Sequence, residues 1–473
     1  MSGGKLFLPY IQYRKTHFRR YAHIHEEVKT MKSIRVILAL ILVACMMLAA
    51  GCGSEKPAAP AATPVPAAEE TKTEETKTEE TAAEESKTEE TAAEETKTEE
   101  TAAAGGVQLQ TDSSVANIQV VDTDWVDLVC GGNYTLAVTA ANNTLTGWGR
   151  NSFGQVGYGV VRDTNIMNIQ PVLENTVTFA AGEENSAAII EDGTVYIWGA
   201  SHSGQNGDGT NTGYISPTII KNYNETGDKI VSLALGKAVI FALAEDGTLY
   251  CTGLNDSMQL GLPESVYKTP VVTLEGVASV YPNAEHTMAL KTDGTLWVTG
   301  EGKRGQLGLG ADVDKAEGWT QVTSITDVAS VAVGEEFTLV LKTDGTVWGV
   351  GRNNKGQLGV ETEEKYSNEW VQIAEGASAI FADAATAGMI KTDGTLWMWG
   401  DNSKGQVGCG SDEKTIAVPT QILEDVKTAD CGFTHAAAIK NDGTLWTWGN
   451  NYYYELCDGT MTNSNAPKQV VAR

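Results

Sequence analysis

Residues 391–410 read KTDGTLWMWGDNSKGQVGCG, and the fold follows from them. In the left half, Thr392-Asp393-Gly394-Thr395 is a tight-turn signal, because an Asp-Gly pair tolerates the positive φ angles of a two-residue hairpin turn. Leu396 to Trp399 is therefore a strand leaving a hairpin. The right half, Gly400 to Gly410, is rich in Gly and Asn and reads as a compact loop leading out of that strand.

Moving outward, the turn glycine recurs at Gly193, Gly247, Gly294, Gly345, Gly394 and Gly443, with Asn143 at the corresponding place in a first copy. Asn replaces Gly readily at positive φ, so there are seven copies, spaced 47 to 54 residues apart. Such a period marks an array of supersecondary units. Each unit is expected to open on a P-x-x-V/I segment such as Pro419-Thr420-Gln421-Ile422 and to continue with three more short strands, the last two flanking the turn. In Leu396-Trp397-Met398-Trp399, alternate residues point to opposite faces, yet all four are large and apolar. Such a strand is buried on both faces, as in sheets packed around an axis. The expected fold is all-β: a seven-bladed β-propeller of four-stranded antiparallel blades over residues 117–473. Trp148, Trp198, Trp297, Trp348, Trp397, Trp399, Trp446 and Trp448 all read as blade packing. The ring is expected to close by strand exchange. Gln119-Val120-Val121 or, favoured by Pro467, Gln469-Val470-Val471 would complete the first blade.

The loop halves carry a family resemblance. Trp148-Gly149-Arg150-Asn151-Ser152-Phe153-Gly154-Gln155-Val156-Gly157 resembles the signature of the regulator-of-chromosome-condensation repeat, as do residues 351–359 and 399–408. The family's upstream element is matched in part by His286-Thr287 and by Cys431-Gly432-Phe433-Thr434-His435. The resemblance runs in phase with the turns and implies seven blades, in agreement with the count. The nucleotide-exchange role of the family's eukaryotic founder does not carry over to a chain that reads as exported and acidic. Its longest departure from the repeat, residues 222–228, is a modest loop rather than a wedge. A secreted bacterial inhibitor of β-lactamases belongs to the same family, so the resemblance extends to protein binding outside the cytoplasm.

Upstream of the copies, residues 52–104 are Pro/Ala-rich and then cycle through Thr, Lys, Glu and Ala without an aromatic residue. Such a segment cannot bury enough apolar surface to offset its ordering entropy. It reads as a disordered, self-repelling tether, with a charged helix as the alternative. Residues 31–51 read as an export signal: Lys32 and Arg35 precede an apolar run, Val36 to Ala50, that is short for a spanning helix. Leu48-Ala49-Ala50-Gly51-Cys52 resembles the bacterial lipoprotein signal, although Ala49 stands where Leu is usual. The resemblance implies lipidation of Cys52 and attachment to the outer face of the cell membrane; cleavage without lipid is the alternative. Residues 1–30 are too long and basic for the start of such a signal. They read as an over-extension, with translation starting at Met31; a basic cytoplasmic extension is the alternative.

The formal charge is −27, and residues 105–473 alone hold 44 acids against 21 bases. So acidic a domain repels phosphate backbones, which excludes nucleic acid as the expected partner. Cys130, Cys251, Cys409, Cys431 and Cys457 form no C-x-x-C pair and read mostly as buried small residues. Cys409 and Cys457, in neighbouring copies of one loop, are a candidate disulfide. Neither a metal-binding nor a cofactor pattern is present, and the D-G-T acids are accounted for by turn chemistry.

Function is expected where the copies stop agreeing. The loops between the first two apolar strands carry Asn133, Tyr134, Glu183, Glu184, Glu285, His286, Glu335, Glu336, Phe337, Phe433 and His435. They predict a mostly acidic ring with Tyr134, Phe337 and Phe433 as anchors, or merely a solvated rim. His286 and His435 share one repeat position and read as hydrogen-bonded structural histidines rather than catalysts. Tyr452, Tyr453 and Tyr454 in the last copy and Phe153 in the first predict an aromatic patch where the ends meet, or closure packing. The chain reads as a monomeric, membrane-anchored, extracytoplasmic binding module for a protein, with a cell-wall component or polysaccharide as the alternative ligand, and not as an enzyme.

Overall fold

The computed structural model describes residues 125–160, 169, 171–311 and 313–471. The start site, export signal, Cys52, tether and Gln119-Val120-Val121 lie outside the described residues. Seven four-stranded antiparallel sheets follow one another at 125–173, 176–219, 230–274, 277–322, 328–374, 377–423 and 426–469, numbered here as blades 1 to 7. The four strands of every blade are hydrogen-bonded in chain order. First strands of neighbouring blades lie against one another, including those of blades 1 and 7, so they surround the axis and the fourth strands form the outer edges. This is the expected propeller.

Its turns differ in detail from the expectation. Gly394 has a φ of +84° and its N–H donates to the Lys391 carbonyl at 2.9 Å, whereas Asp393 stays at negative φ. The hairpin is therefore a type I turn closed by a left-handed glycine, not a two-residue turn with both residues at positive φ. Asp393 contributes its carboxylate instead: Oδ1 accepts the Thr395 N–H at 3.0 Å and the Thr395 hydroxyl at 2.7 Å. In the first copy Asn142 and Asn143 take φ values of +54° and +44°.

The tryptophans separate into two rows. Trp148, Trp198, Trp399 and Trp448 are fully buried between blades. Each donates its indole N–H to a backbone carbonyl of the preceding blade: those of Glu455, Gln155, Gln357 and Gln406, at 2.8 to 2.9 Å. Trp297, Trp348, Trp397 and Trp446 are only half-buried and bond within their own hairpins. All eight serve blade packing as expected, since these four also pack against the core clusters, but from a half-buried row.

The core lies between blades. Phe337 and Leu339 of blade 5 pack with Met389 and Trp399 of blade 6, and Trp125 and Trp148 of blade 1 pack with Ile439 and Leu445 of blade 7. The latter cluster closes the ring, and among the described residues no strand is exchanged, contrary to expectation. Ser464–Gln469, which holds Pro467, pairs with the third strand of its own blade 7, and Pro171–Leu173 completes blade 1. The Pro segment ends each unit rather than opening it. It forms the outer edge strand, where a missing N–H breaks no ladder bond.

Candidate functional site

Register decides which loops share an end. Phe337 lies opposite Gly351, His286 opposite Gly300 and His435 opposite Gly449. The loop after each first strand and the loop leaving each third strand therefore emerge together, the former near the axis (inner loops) and the latter outside it (outer loops). The hairpin turns lie at the other end. So does Trp125, whose N–H donates to the Gly443 carbonyl at 3.3 Å.

Tyr134, His286, Phe337 and His435 are not on the rim. Each is the first residue of a second strand and 0% exposed, a correction to the expected ring of contacts. Their shared repeat position faces the next blade. The Tyr134 hydroxyl donates to the Asn185 carbonyl at 2.6 Å, His286 Nε2 lies 2.9 Å from Thr338 Oγ1, and His435 Nε2 lies 3.0 Å from Thr135 Oγ1 across the seam of blades 7 and 1. Burial pulls His286 down to about 3 and His435 down to about 4, so both are neutral near pH 7. Asn133, Glu183, Glu184, Glu285, Glu335, Glu336 and Phe433 do reach solvent at this end.

The acids are less uniform than the sequence implied. Glu184 pairs with Arg150 at 3.3 Å, Glu183 with Lys237 at 3.7 Å, and Glu336 with Arg352 and with Arg304 at 3.9 Å. The arginines come from third-strand ends and outer loops, which the inner-loop reading left out. Among the described residues Glu335 has no cation within ion-pair distance. Closer to the axis, five blades have glycine where blade 4 has Asn283 and blade 6 has Asp383. Asn283 Nδ2 donates to the Val333 carbonyl at 2.8 Å and lies 3.4 Å from Asp383 Oδ1. Burial, with the Glu183 and Glu335 charges adding to it, pushes the Asp383 carboxyl up to about 7. The axial mouth is crowded with acid.

An aromatic sector occupies the same end on blades 7, 1 and 2. The Arg150 guanidinium lies 5.3 Å from the Phe153 ring centre and 5.5 Å from that of Tyr453. Phe153 meets His202 edge-on at 5.2 Å, and Tyr453 meets Tyr452 at 4.8 Å. Tyr452 is 62% exposed, so this sector is surface and not closure packing alone. Cys409 and Cys457 are free thiols, and the candidate disulfide is absent.

A family model described as the RCC1-like domain matches residues 89–383 and 226–472. The chain belongs to the RCC1-like domain family. The Ultraviolet-B receptor UVR8 of Arabidopsis thaliana is 28% identical over 242 residues, 49% of this chain and 54% of the receptor. The human E3 ubiquitin-protein ligase HERC2 is 30% identical over 140 residues, 29% of this chain and 3% of the ligase. The matched stretches thus span about half of the one relative and a small part of the other. Among solved structures, Prp20p of Saccharomyces cerevisiae is similar with a TM-score of 0.62 and 20% identity, over 71% of this chain and 87% of that one. Human WBSCR16 is similar with a TM-score of 0.60 and 20% identity, over 68% and 92%. Both share its fold.

In this RCC1-like propeller the seventh outer loop has Glu455 where the other six have Gln, and against the sixth it shows an exchange of groups. Gln406 in blade 6 accepts the Lys404 N–H at 2.8 Å and donates Nε2 to Asp401 at 2.9 Å. In blade 7 the carboxylate and amide trade places: Glu455 accepts the Tyr453 N–H at 2.7 Å and the Asn450 side-chain amide at 2.7 Å. Burial pushes the Glu455 carboxyl up to about 7. This buried acid supports the loop that displays Tyr452 and Tyr453.

Proposed function

We propose that this RCC1-like propeller is a lipid-anchored, extracytoplasmic protein-binding module that engages its partner through the loop end. The observation that carries the reading is the aromatic sector of Tyr452, Tyr453 and Phe153, which shares that end with the inner acidic loops where the copies disagree. Exposed aromatic side chains beside ion pairs suit a protein interface, in which aromatic anchors supply much of the binding energy. Anchoring rests on the signal-like segment ending at Cys52. Yeast RCC1, a protein of this fold, is bound to Kap60 in one similar structure with a TM-score of 0.62 and 19% identity. The cross-blade bonds of the neutral His286 and His435 argue against catalysis by either.

Affinity capture with the full chain tests the binding. A stoichiometric protein partner, lost when Glu335→Gln and Tyr453→Ala are combined, is expected; capture of purified wall polymer in its place contradicts the reading. For the anchor, Cys52→Ser should move the protein from the detergent phase to the aqueous phase, and unchanged partitioning contradicts lipidation.

A further inference from the structure

The aromatic sector continues inward along the seam of blades 7 and 1. Phe433 is half-buried there, and its N–H donates to the Gly132 carbonyl at 2.9 Å. Gly132 leaves room for the ring, whose Cε2 comes within 3.2 Å of where a β-carbon would stand. Phe433 near the axis and Tyr453 and Tyr452 farther out thus give one seam a surface with aromatic rings at both mouth and rim. This surface has no charge to spare, because Arg150, its cation, is paired with Glu184. The mouth beside it holds Glu183 and Glu335, whose charges add to the burial that raises the Asp383 carboxyl, and among the described residues Lys237 alone pairs with one of the three.

We propose that the loop end receives a projecting protein loop with a Lys or Arg at its tip, seated among Glu183, Glu335 and Asp383 beside Phe433, and with flanking apolar side chains packed on Tyr453 and Tyr452. The inference rests on the protein-binding reading above and specifies the partner's chemistry. A carboxylate at the mouth meets the Glu183 and Glu335 charges, whereas a guanidinium or ammonium is attracted by them, favours the ionised form of Asp383 and gains a cation–π contact with Phe433. One basic tip with apolar flanks satisfies both zones.

Two cyclic peptides, one with a Trp-Arg-Trp tip and one with Trp-Glu-Trp, are titrated against the full chain by fluorescence anisotropy at physiological ionic strength. The Arg peptide should bind about tenfold tighter than the Glu peptide. Glu335→Gln should weaken the Arg peptide and narrow that gap, while Tyr452→Ala with Tyr453→Ala should weaken both peptides. Equal affinities, an Arg peptide indifferent to Glu335→Gln, or no binding of either peptide up to millimolar concentration overturns the proposal. Glu335 and Tyr452 are exposed, and unchanged circular dichroism confirms that the variants are folded. A captured partner together with peptides that show no charge preference sinks this inference and leaves the protein-binding reading standing; failure of capture sinks that reading.

Discussion

The hairpin end and the loop end are made from the same seven copies but satisfy their polar groups differently. At the hairpin end of blades 4 to 7 one arrangement repeats. Trp297, Trp348, Trp397 and Trp446 donate to Thr295, Thr346, Thr395 and Thr444 at 2.8 to 3.0 Å, and those hydroxyls donate to Asp293, Asp344, Asp393 and Asp442 at 2.6 to 2.7 Å. Lys291, Lys342, Lys391 and Lys440 lie 4.2 to 5.9 Å from the same indole rings. Each set is complete within one hairpin. At the loop end partners come from elsewhere: Arg150 of blade 1 pairs with Glu184 of blade 2, and Asn283 of blade 4 reaches Val333 of blade 5. Self-contained turns repeat because each solves a local problem, while the loop end keeps charges and rings for which the fold has no further use.

The sharpest break in this contrast is within one strand. Trp399→Ala should cost about 3–5 kcal/mol, because it empties a fully buried site between blades. Trp397→Ala, two residues earlier and half-buried at the hairpin, should cost about 1 kcal/mol. Equal shifts in urea unfolding would merge the two tryptophan rows again.

The next effect is a pH dependence. The Glu455 carboxyl rises from 4.5 to about 7 on folding, so between those values the folded chain holds a proton that the unfolded chain releases. The stability this contributes is fully present below about pH 4.5 and is lost as pH rises through about 7, a change of roughly 3 kcal/mol. Glu455→Gln restores the side chain that the other six blades use and removes the loss. The unfolding free energy of E455Q minus that of the parent should therefore grow from pH 5 to pH 8; a constant difference contradicts the assignment. Comparing the pair also cancels the opposite trend from His286 and His435, whose lowered values favour the folded state at higher pH.

At the turn, Gly394→Ala should cost about 1–2 kcal/mol through its positive φ, and Gly394→Asn less, as Asn143 shows in the first copy. Thermal unfolding measures both. Smallest of all, Tyr452→Ala and Glu335→Gln should change stability by less than about 0.5 kcal/mol, since neither side chain is part of the core. Their effect should appear in binding alone.

The architecture was legible because turn glycines such as Gly394 recur in phase, and because Leu396 to Trp399 is apolar on both faces. The unit boundary was not, since a Pro segment lying between two strand triplets can belong to either; pairing of Ser464–Gln469 within blade 7 decides it. Tyr134, His286, Phe337 and His435 were misplaced because the first residue of a strand looks like the last residue of a loop until its register is known. The acidic character of the inner loops and the aromatic patch were readable from composition. Their union was not: Arg150 and Tyr453 are about three hundred residues apart in sequence and meet only because blade 7 closes on blade 1. Likewise, the trade between Gln406–Asp401 and Glu455–Asn450 is invisible until the partners are seen.

Partner capture by two full-chain variants of matched thermal stability tests the division of labour between the ends most directly. One carries Glu335→Gln, Tyr452→Ala and Tyr453→Ala at the loop end, and the other Lys391→Ala and Lys440→Ala at the hairpin end. The expected result is loss of the protein partner by the first and full retention by the second. Retention by the first with loss by the second would contradict the assignment of binding to the loop end.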